Sequence, residues 1–320
     1  MSGFTTGTNA HLIRSQLWSQ QLKEVVLDEL MGWKWVDMIT DFPDGDTINI
    51  PSIGQPSVYN YAENMPIQYS AIDTGNFQFS INDYKAWGTY VTEKMKQDSM
   101  YMARVQASFV PKAQRALMEA MEQRILAVGP EGQTASDSNT INGGKHRMVA
   151  SGTGATLTLE DFAKAKFALD KANMPATGRV AIVDASVEAE LNKLTNIVNV
   201  SNNPNFGGMI TTGFGSNLNK INRSIFGFDI YVSNHLKPIT TSETIDTVAS
   251  GTSAVANIFF STASDLLPIV GLMRQAPKVD SEYNKDRQRE EYVITARYGF
   301  KLFRPENLVT ILSATDQVYA

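Results

Sequence analysis

The chain contains no cysteine among its 320 residues. Disulfides, thiolate metal sites and a cysteine nucleophile are thereby excluded. Histidine is scarce as well. His11, His146 and His235 stand far apart, without the close spacing of metal ligands, and are expected to be surface or hydrogen-bonded core residues. No metal or cofactor is expected. No stretch approaches the roughly 20 apolar residues that span a bilayer, and residues 1–10 lack the basic and apolar regions of a signal peptide. The expectation is a chain that stays where it is made, with no membrane partner. A basic excess is missing too: Lys plus Arg is 28 against 33 for Asp plus Glu, a formal charge of −5. Proteins that grip nucleic acid by its phosphates usually carry the opposite balance.

Catalytic signatures are equally thin. Gly152-Thr153-Gly154 and Asn142-Gly143-Gly144-Lys145 have the glycines of a phosphate loop without its pattern or a preceding strand. Asp41, Asp44 and Asp46 flank Gly45 but lack the closing glutamate of a calcium loop, and they read as a turn. No glycine fingerprint of a dinucleotide fold and no nucleophile elbow occurs. The pairs Glu160-Asp161 and Glu290-Glu291 are adjacent in sequence, so their side chains point apart. The chain is expected not to be an enzyme. An α/β enzyme with an unfamiliar site in 179–235 is the alternative, and a deep polar pocket there would favour it.

What is present is an ordinary globular composition, 42% hydrophobic and 19% charged, in a chain long enough for a sizeable core. Residues 10–39 read as an amphipathic helical segment through Leu12, Ile13, Leu17, Leu22, Val25, Val26 and Leu30, with Gly32 as a break. It can pack on its own domain or on a neighbour. Thr47-Ile48-Asn49-Ile50 and Phe77-Gln78-Phe79-Ser80-Ile81 alternate as strands do. Between them lies a polar, proline-bearing segment with Tyr59, Tyr61 and Tyr69. A two-stranded excursion of this kind is marginally stable alone and needs something to lie against.

Residues 91–128 keep a helical spacing and predict a helix of roughly 55 Å. Pro111 is expected to kink or interrupt it near residue 110, and Gly129-Pro130 to end it. A Gly/Ser/Thr/Asn-rich loop over 129–156 precedes a second helix, from about 159 to 173, with Thr158 as N-cap and Asp161 completing a relaxed capping box. The run 179–183 is a buried strand, 186–194 a short helix, and 227–233 and 258–260 further strands. Residues 195–223 read as a polar surface loop. Residues 291–302 and 308–312 are expected to pair as antiparallel strands, with Pro305 and Asn307 supplying the turn.

The order of elements, together with four local sequences, resembles the major capsid protein fold of tailed bacteriophages, the Hong Kong 97 type. Tyr90-Val91-Thr92-Glu93-Lys94-Met95 resembles the entry to that family's spine helix. Residues 175–185 resemble the opening of its axial domain, and Gly227-Phe228-Asp229-Ile230-Tyr231-Val232-Ser233-Asn234 a later segment of the same domain. Residues 297–306 resemble its final hairpin.

The resemblance implies an α+β fold with an N-terminal arm (1–40), an extended β-hairpin loop (41–90), a peripheral domain with the spine helix (91–174), an axial α/β domain (175–275) and return strands of the peripheral domain (276–320). It implies hexamers and pentamers of this chain in an icosahedral head. A separate scaffolding protein, a portal protein and possibly a decoration protein would be the partners. The head would enclose double-stranded DNA without sequence-specific binding, which suits a mildly acidic wall. A cellular nanocompartment shell of the same fold is a close variant.

Candidate subunit-interface residues are Leu17, Trp18, Leu22, Ile48, Ile50, Tyr59, Tyr61, Phe77, Phe79 and Ile81. Lys34, Asp37 and the charges of 83–98 are candidates for ion pairs between subunits. No covalent lysine–asparagine cross-link is expected. Removal of residues 1–35 is expected to leave a soluble subunit unable to form shells.

Overall fold

The computed structural model describes residues 30–39, 47–54, 56–67, 69, 71–72, 74–98, 102–133, 139–193, 224–239, 254–263 and 266–315. In chain order a single 3-10 turn, Gly32–Trp35, leads to strands β1 (Val36–Ile39), β2 (Thr47–Ile53), β3 (Thr74–Ser80) and β4 (Asp83–Thr92). Helices α1 (Glu93–Asp98) and α2 (Met102–Gly132) follow, then β5 (Thr140–Ile141), β6 (Gly144–Lys145) and β7 (Arg147–Val149). Next come α3 (Leu159–Lys171), β8 (Arg179–Val183), α4 (Ala185–Lys193), β9 (Ser224–Ile225) and β10 (Phe228–Val232). The chain continues with β11 (Pro238–Ile239), β12 (Ala254–Ser261), β13 (Ile269–Asn284), β14 (Arg289–Leu302) and β15 (Leu308–Ala314).

One mixed sheet runs β7-β15-β12-β8-β10-β9. All five residues of β8 are buried, and β10 lies parallel to it with Val232 opposite Val183. A continuous apolar run is what a strand covered on both faces requires. One face carries Phe162, Ala165 and Leu169 of α3 and Val187 and Leu191 of α4. There Phe162, Phe228 and Phe259 meet edge to face, with centroids 5.2 to 6.5 Å apart. The opposite face carries Leu126 of α2 with Met31 and Trp35. Helix α3 starts as expected: the Asp161 carboxylate accepts the Thr158 N–H at 2.9 Å and the Ser151 N–H at 3.0 Å. It ends on Asn173 in the left-handed region (φ 58°), with the Met174 N–H closing back on the Leu169 carbonyl.

A second sheet, β1-β13-β14-β4, packs on α2. Ala113, Leu117, Met121, Ile125 and Val128 form one helical stripe against Ile294, Ala296, Tyr298 and Phe300 of β14. Pro111 lies inside α2 without ending it, and the helix runs past Gly129-Pro130 to Gly132. The lost hydrogen bond costs about 3 kcal/mol. The four larger side chains of the stripe, Leu117, Met121, Ile125 and Val128, at roughly 1.5–3 kcal/mol each, offset it. Beyond the proline at 130, Arg147 donates to the carbonyls of Pro130 (3.1 Å) and Gln133 (2.6 Å), so the open end of the helix is capped.

Residues 291–302 and 308–312 do not pair with each other. Strand β14 sits between β13 and β4, whereas β15 lies between β7 and β12 in the other sheet. Asn307 is the reason. Its side chain accepts the Ser261 N–H (2.8 Å) and donates to the carbonyls of Ser261 (2.8 Å) and Leu266 (2.6 Å). The segment is thereby stitched to the end of β12 as it crosses between sheets. The 16-residue strand β13 spans residue 275, so the boundary drawn there falls within a strand. Met31, Trp35 and Val36 are core residues, so a deletion through residue 35 would damage the subunit itself. A cut that tests the arm alone has to stop at residue 29.

Candidate assembly surfaces

Strands β2 and β3 pair only with each other, in the register Ile48 to Phe79 and Ile50 to Phe77. Paired residues across an antiparallel ladder share a face, so these four side chains line one side of the hairpin. At its root the hairpin is fastened. Phe79 and Ile81 are buried against Val270 and Leu272. Phe77 stacks edge-on to Phe303 at 4.9 Å, and Lys301 Nζ lies 4.8 Å from its ring. Lys301 also donates to the Gln78 carbonyl at 2.7 Å. The approach is close enough to need a glycine in the sheet below: a Cβ on Gly299 would stand 3.1 Å from the Ser80 carbonyl oxygen.

Away from the root, no described residue outside the hairpin covers it. Ile53, Val58, Tyr59, Tyr61, Met65, Ile67, Tyr69 and Ile72 are all at least half exposed, Val58 at 95% and Tyr69 at 94%. Val58, Tyr59, Tyr61, Met65 and Ile67 line an open cup of about 430 Å³. Residues 54–72 include one charged residue, Glu63. Contiguous exposed apolar surface of this kind marks an interaction site.

The ten candidate interface residues therefore separate. Leu17, Trp18 and Leu22 lie outside the described residues. Phe79 and Ile81 are enclosed by their own subunit and are not available to a neighbour. Ile48, Ile50 and Phe77 are half-buried, and Tyr59 and Tyr61 are open. The aliphatic members of the tip, Ile53, Val58, Met65, Ile67 and Ile72, were missed because they follow no period. Their signal was apolar residues recurring in a segment with a single charge and no period.

Two of the charges considered for contacts between subunits are paired within this one. Asp83 meets Arg124 at 3.0 Å and Lys96 meets Glu290 at 2.5 Å.

The crevice at the carboxyl ends of the parallel strands β8 and β10 is where an α/β enzyme places its chemistry. Here Asp184 accepts the Ser186 N–H (3.0 Å) and hydroxyl (2.7 Å), which caps α4. Ser233 accepts the His235 N–H at 3.2 Å. These polar groups serve the backbone. No group of three potential metal ligands occurs among the described residues, and no described helix is long and apolar enough to cross a membrane.

Burial shifts two titratable side chains, His146 and Tyr298, away from their ordinary values. Burial holds the His146 imidazole below the usual histidine range, while the Leu308 carbonyl and the charge of Glu306 oppose the shift. The Leu308 carbonyl can only accept, so His146 Nδ1 (3.0 Å away) carries the proton. Burial pushes the Tyr298 phenol up to about 12, with Asp83 adding to the shift and Arg124 opposing it.

Comparison with known proteins gives the family. The family described as phage capsid protein matches residues 79–311, well over half of the chain. The chain belongs to the phage capsid protein family. The capsid protein has the Hong Kong 97-type major capsid fold. It superposes on the capsid of cyanophage Pam1 with a TM-score of 0.72 at 13% identity, covering 99% of this chain and 100% of that one. For the capsid of cyanophage P-SCSP1u the score is 0.70 at 18% identity, covering 96% and 94%. For a chain from Mycobacterium phage Che8 it is 0.65 at 18% identity, covering 94% and 97%. No curated protein matches the chain. A family of capsid proteins makes the role structural and places the chain in the virion shell. The family match begins at Phe79, where the hairpin returns to the core, so the exposed tip lies outside it.

Proposed function

We propose that this capsid protein assembles as hexamers and pentamers into an icosahedral head around double-stranded DNA, with the hairpin tip and the N-terminal arm reaching over neighbouring subunits. The observation that carries this is the tip between Ile53 and Ile72, eight large apolar side chains that stand at least half exposed among the described residues. Burying such side chains is worth roughly 1.5–3 kcal/mol each, so even partial coverage by a neighbour is a strong drive to associate. Helix α2 and the β1-β13-β14-β4 sheet form the shell wall, and the sheet containing β8 and β10 packs around the symmetry axes. The acidic balance of the chain suits contents that are enclosed but not gripped. Subunits are made in the host cytoplasm. They meet a separate scaffolding protein and a portal, with a decoration protein as a further possible partner, and no covalent cross-link joins them.

The test is sedimentation velocity with negative-stain microscopy, on the protein alone and with its scaffold. Capsomers or closed shells are expected. A stable monomer under every condition, scaffold included, contradicts the proposal.

A further inference from the structure

Three parts of the molecule meet at the turn where the described chain begins. Gly32–Trp35 has no side-chain cap of its own from the preceding residue. Its cap comes from α2. The Glu122 carboxylate, fully buried, accepts the Gly32 N–H at 2.8 Å on each oxygen and the Met31 N–H at 3.1 Å. A carboxylate at the open N–H groups of a helical turn is electrostatically favourable. The fit leaves no room for a side chain at position 32 with the carboxylate in place, because a Cβ there would stand 2.6 Å from Glu122 Oε2.

From the same turn two tryptophans diverge. Trp33 meets Phe300 of the β13–β14 sheet edge-on at 5.9 Å. Trp35 meets Tyr231 and Phe260 of the other sheet at 5.1 and 5.7 Å. The turn thus touches both sheets while Glu122 holds its backbone to the helix. The turn lies at the start of the described residues, which begin at residue 30.

We propose that Glu122 is the positioning residue of the N-terminal arm: it fixes the direction in which residues 1–29 leave the subunit and ties that direction to α2. This rests on the role proposed above for the arm. Neighbouring inward positions on α2, Met121 and Ile125, are apolar. An apolar residue at 122 would fill space without the desolvation cost of a buried carboxylate. What the carboxylate adds is direction. Two successive backbone N–H groups aimed at one acceptor fix the orientation of the peptide planes through which the arm departs.

The experiment is amide hydrogen exchange on the full-length subunit, combined with microscopy of particles formed with scaffold. In the natural protein the Met31 and Gly32 amides are expected to be protected. In Glu122→Gln the oxygen shared by both amides is kept and the NH2 in place of Oε2 faces the Gly32 N–H, so exchange at Gly32 is expected to rise at least about tenfold. Amides of β8 and β12 stay unchanged, and closed shells are replaced by aberrant or open particles. Gly32→Ala breaks the same contact from the other side. The double variant is expected to assemble no worse than the poorer single one.

Three results would overturn the proposal: unprotected Met31 and Gly32 amides in the natural protein, faster exchange across the whole Glu122→Gln subunit, or normal shells from that variant despite the local loss. Normal shells from a chain lacking residues 1–29 would instead remove the role of the arm itself.

Discussion

The aromatic trio Phe162, Phe228 and Phe259 and the tyrosines Tyr59, Tyr61 and Tyr69 are similar in size and lie in opposite surroundings. The first three are fully buried between a sheet and α3. The second three stand 50%, 69% and 94% exposed on a hairpin that pairs with no other strand among the described residues. Each sheet core is closed within one chain. The tip has apolar content without a core, which gives a stable subunit surface available for a partner. Apolar surface left over after folding is how a single subunit records that it belongs to an assembly.

The sharpest way to break this contrast is in the core. Phe259→Ala is expected to destabilise the isolated subunit by about 3–5 kcal/mol, read as a lower urea midpoint, because the neighbouring rings cannot collapse into the space. A smaller effect is expected at the crossing between sheets. Asn307→Ala removes three short hydrogen bonds and leaves the Ser261 N–H buried without a partner. A loss of about 2–3 kcal/mol by the same measurement is expected.

A third change separates the regions by pH. His146 is buried and its folded pKa lies below the unfolded value, so its contribution to stability is complete above about pH 6.5. That contribution declines as pH falls from there through the folded pKa. Urea midpoints measured from pH 7.5 to 5 are expected to fall toward acid. His146→Asn, which keeps a donor near Nδ1 without titrating, is expected to flatten the slope. The smallest effect on the subunit belongs to the tip: Val58→Ser with Tyr69→Ser is expected to move its stability by no more than about 0.5 kcal/mol.

The elements that were legible in the sequence are those whose partners are local or whose burial is complete. Strand β8 announces itself as five consecutive buried residues, and α3 through Thr158 and Asp161. The partner of β15 was not legible. Pro305 and Asn307 have the composition of a hairpin turn, yet Asn307 bonds to Ser261, 46 residues away. Strand β13 was not read in the sequence at all: its outer half is largely exposed, carries Pro277, and alternates Lys278, Asp280 and Glu282 with Val279, Ser281 and Tyr283. Such a strand exists because β14 holds it, through a register with two bulges. At the candidate surface, Tyr59 and Tyr61 could be named from composition. That Phe79 and Ile81 fold back into their own core could not, because alternation gives the face of a strand and not what covers it.

The central claim is that the tip serves assembly and not the subunit. Its most direct test is to mix the Val58→Ser, Tyr69→Ser protein with scaffold and follow particle formation by sedimentation velocity and negative-stain microscopy, beside the natural protein. The account predicts a folded subunit with an unchanged urea midpoint that fails to form closed shells. Shells of normal size and yield from that subunit would contradict it.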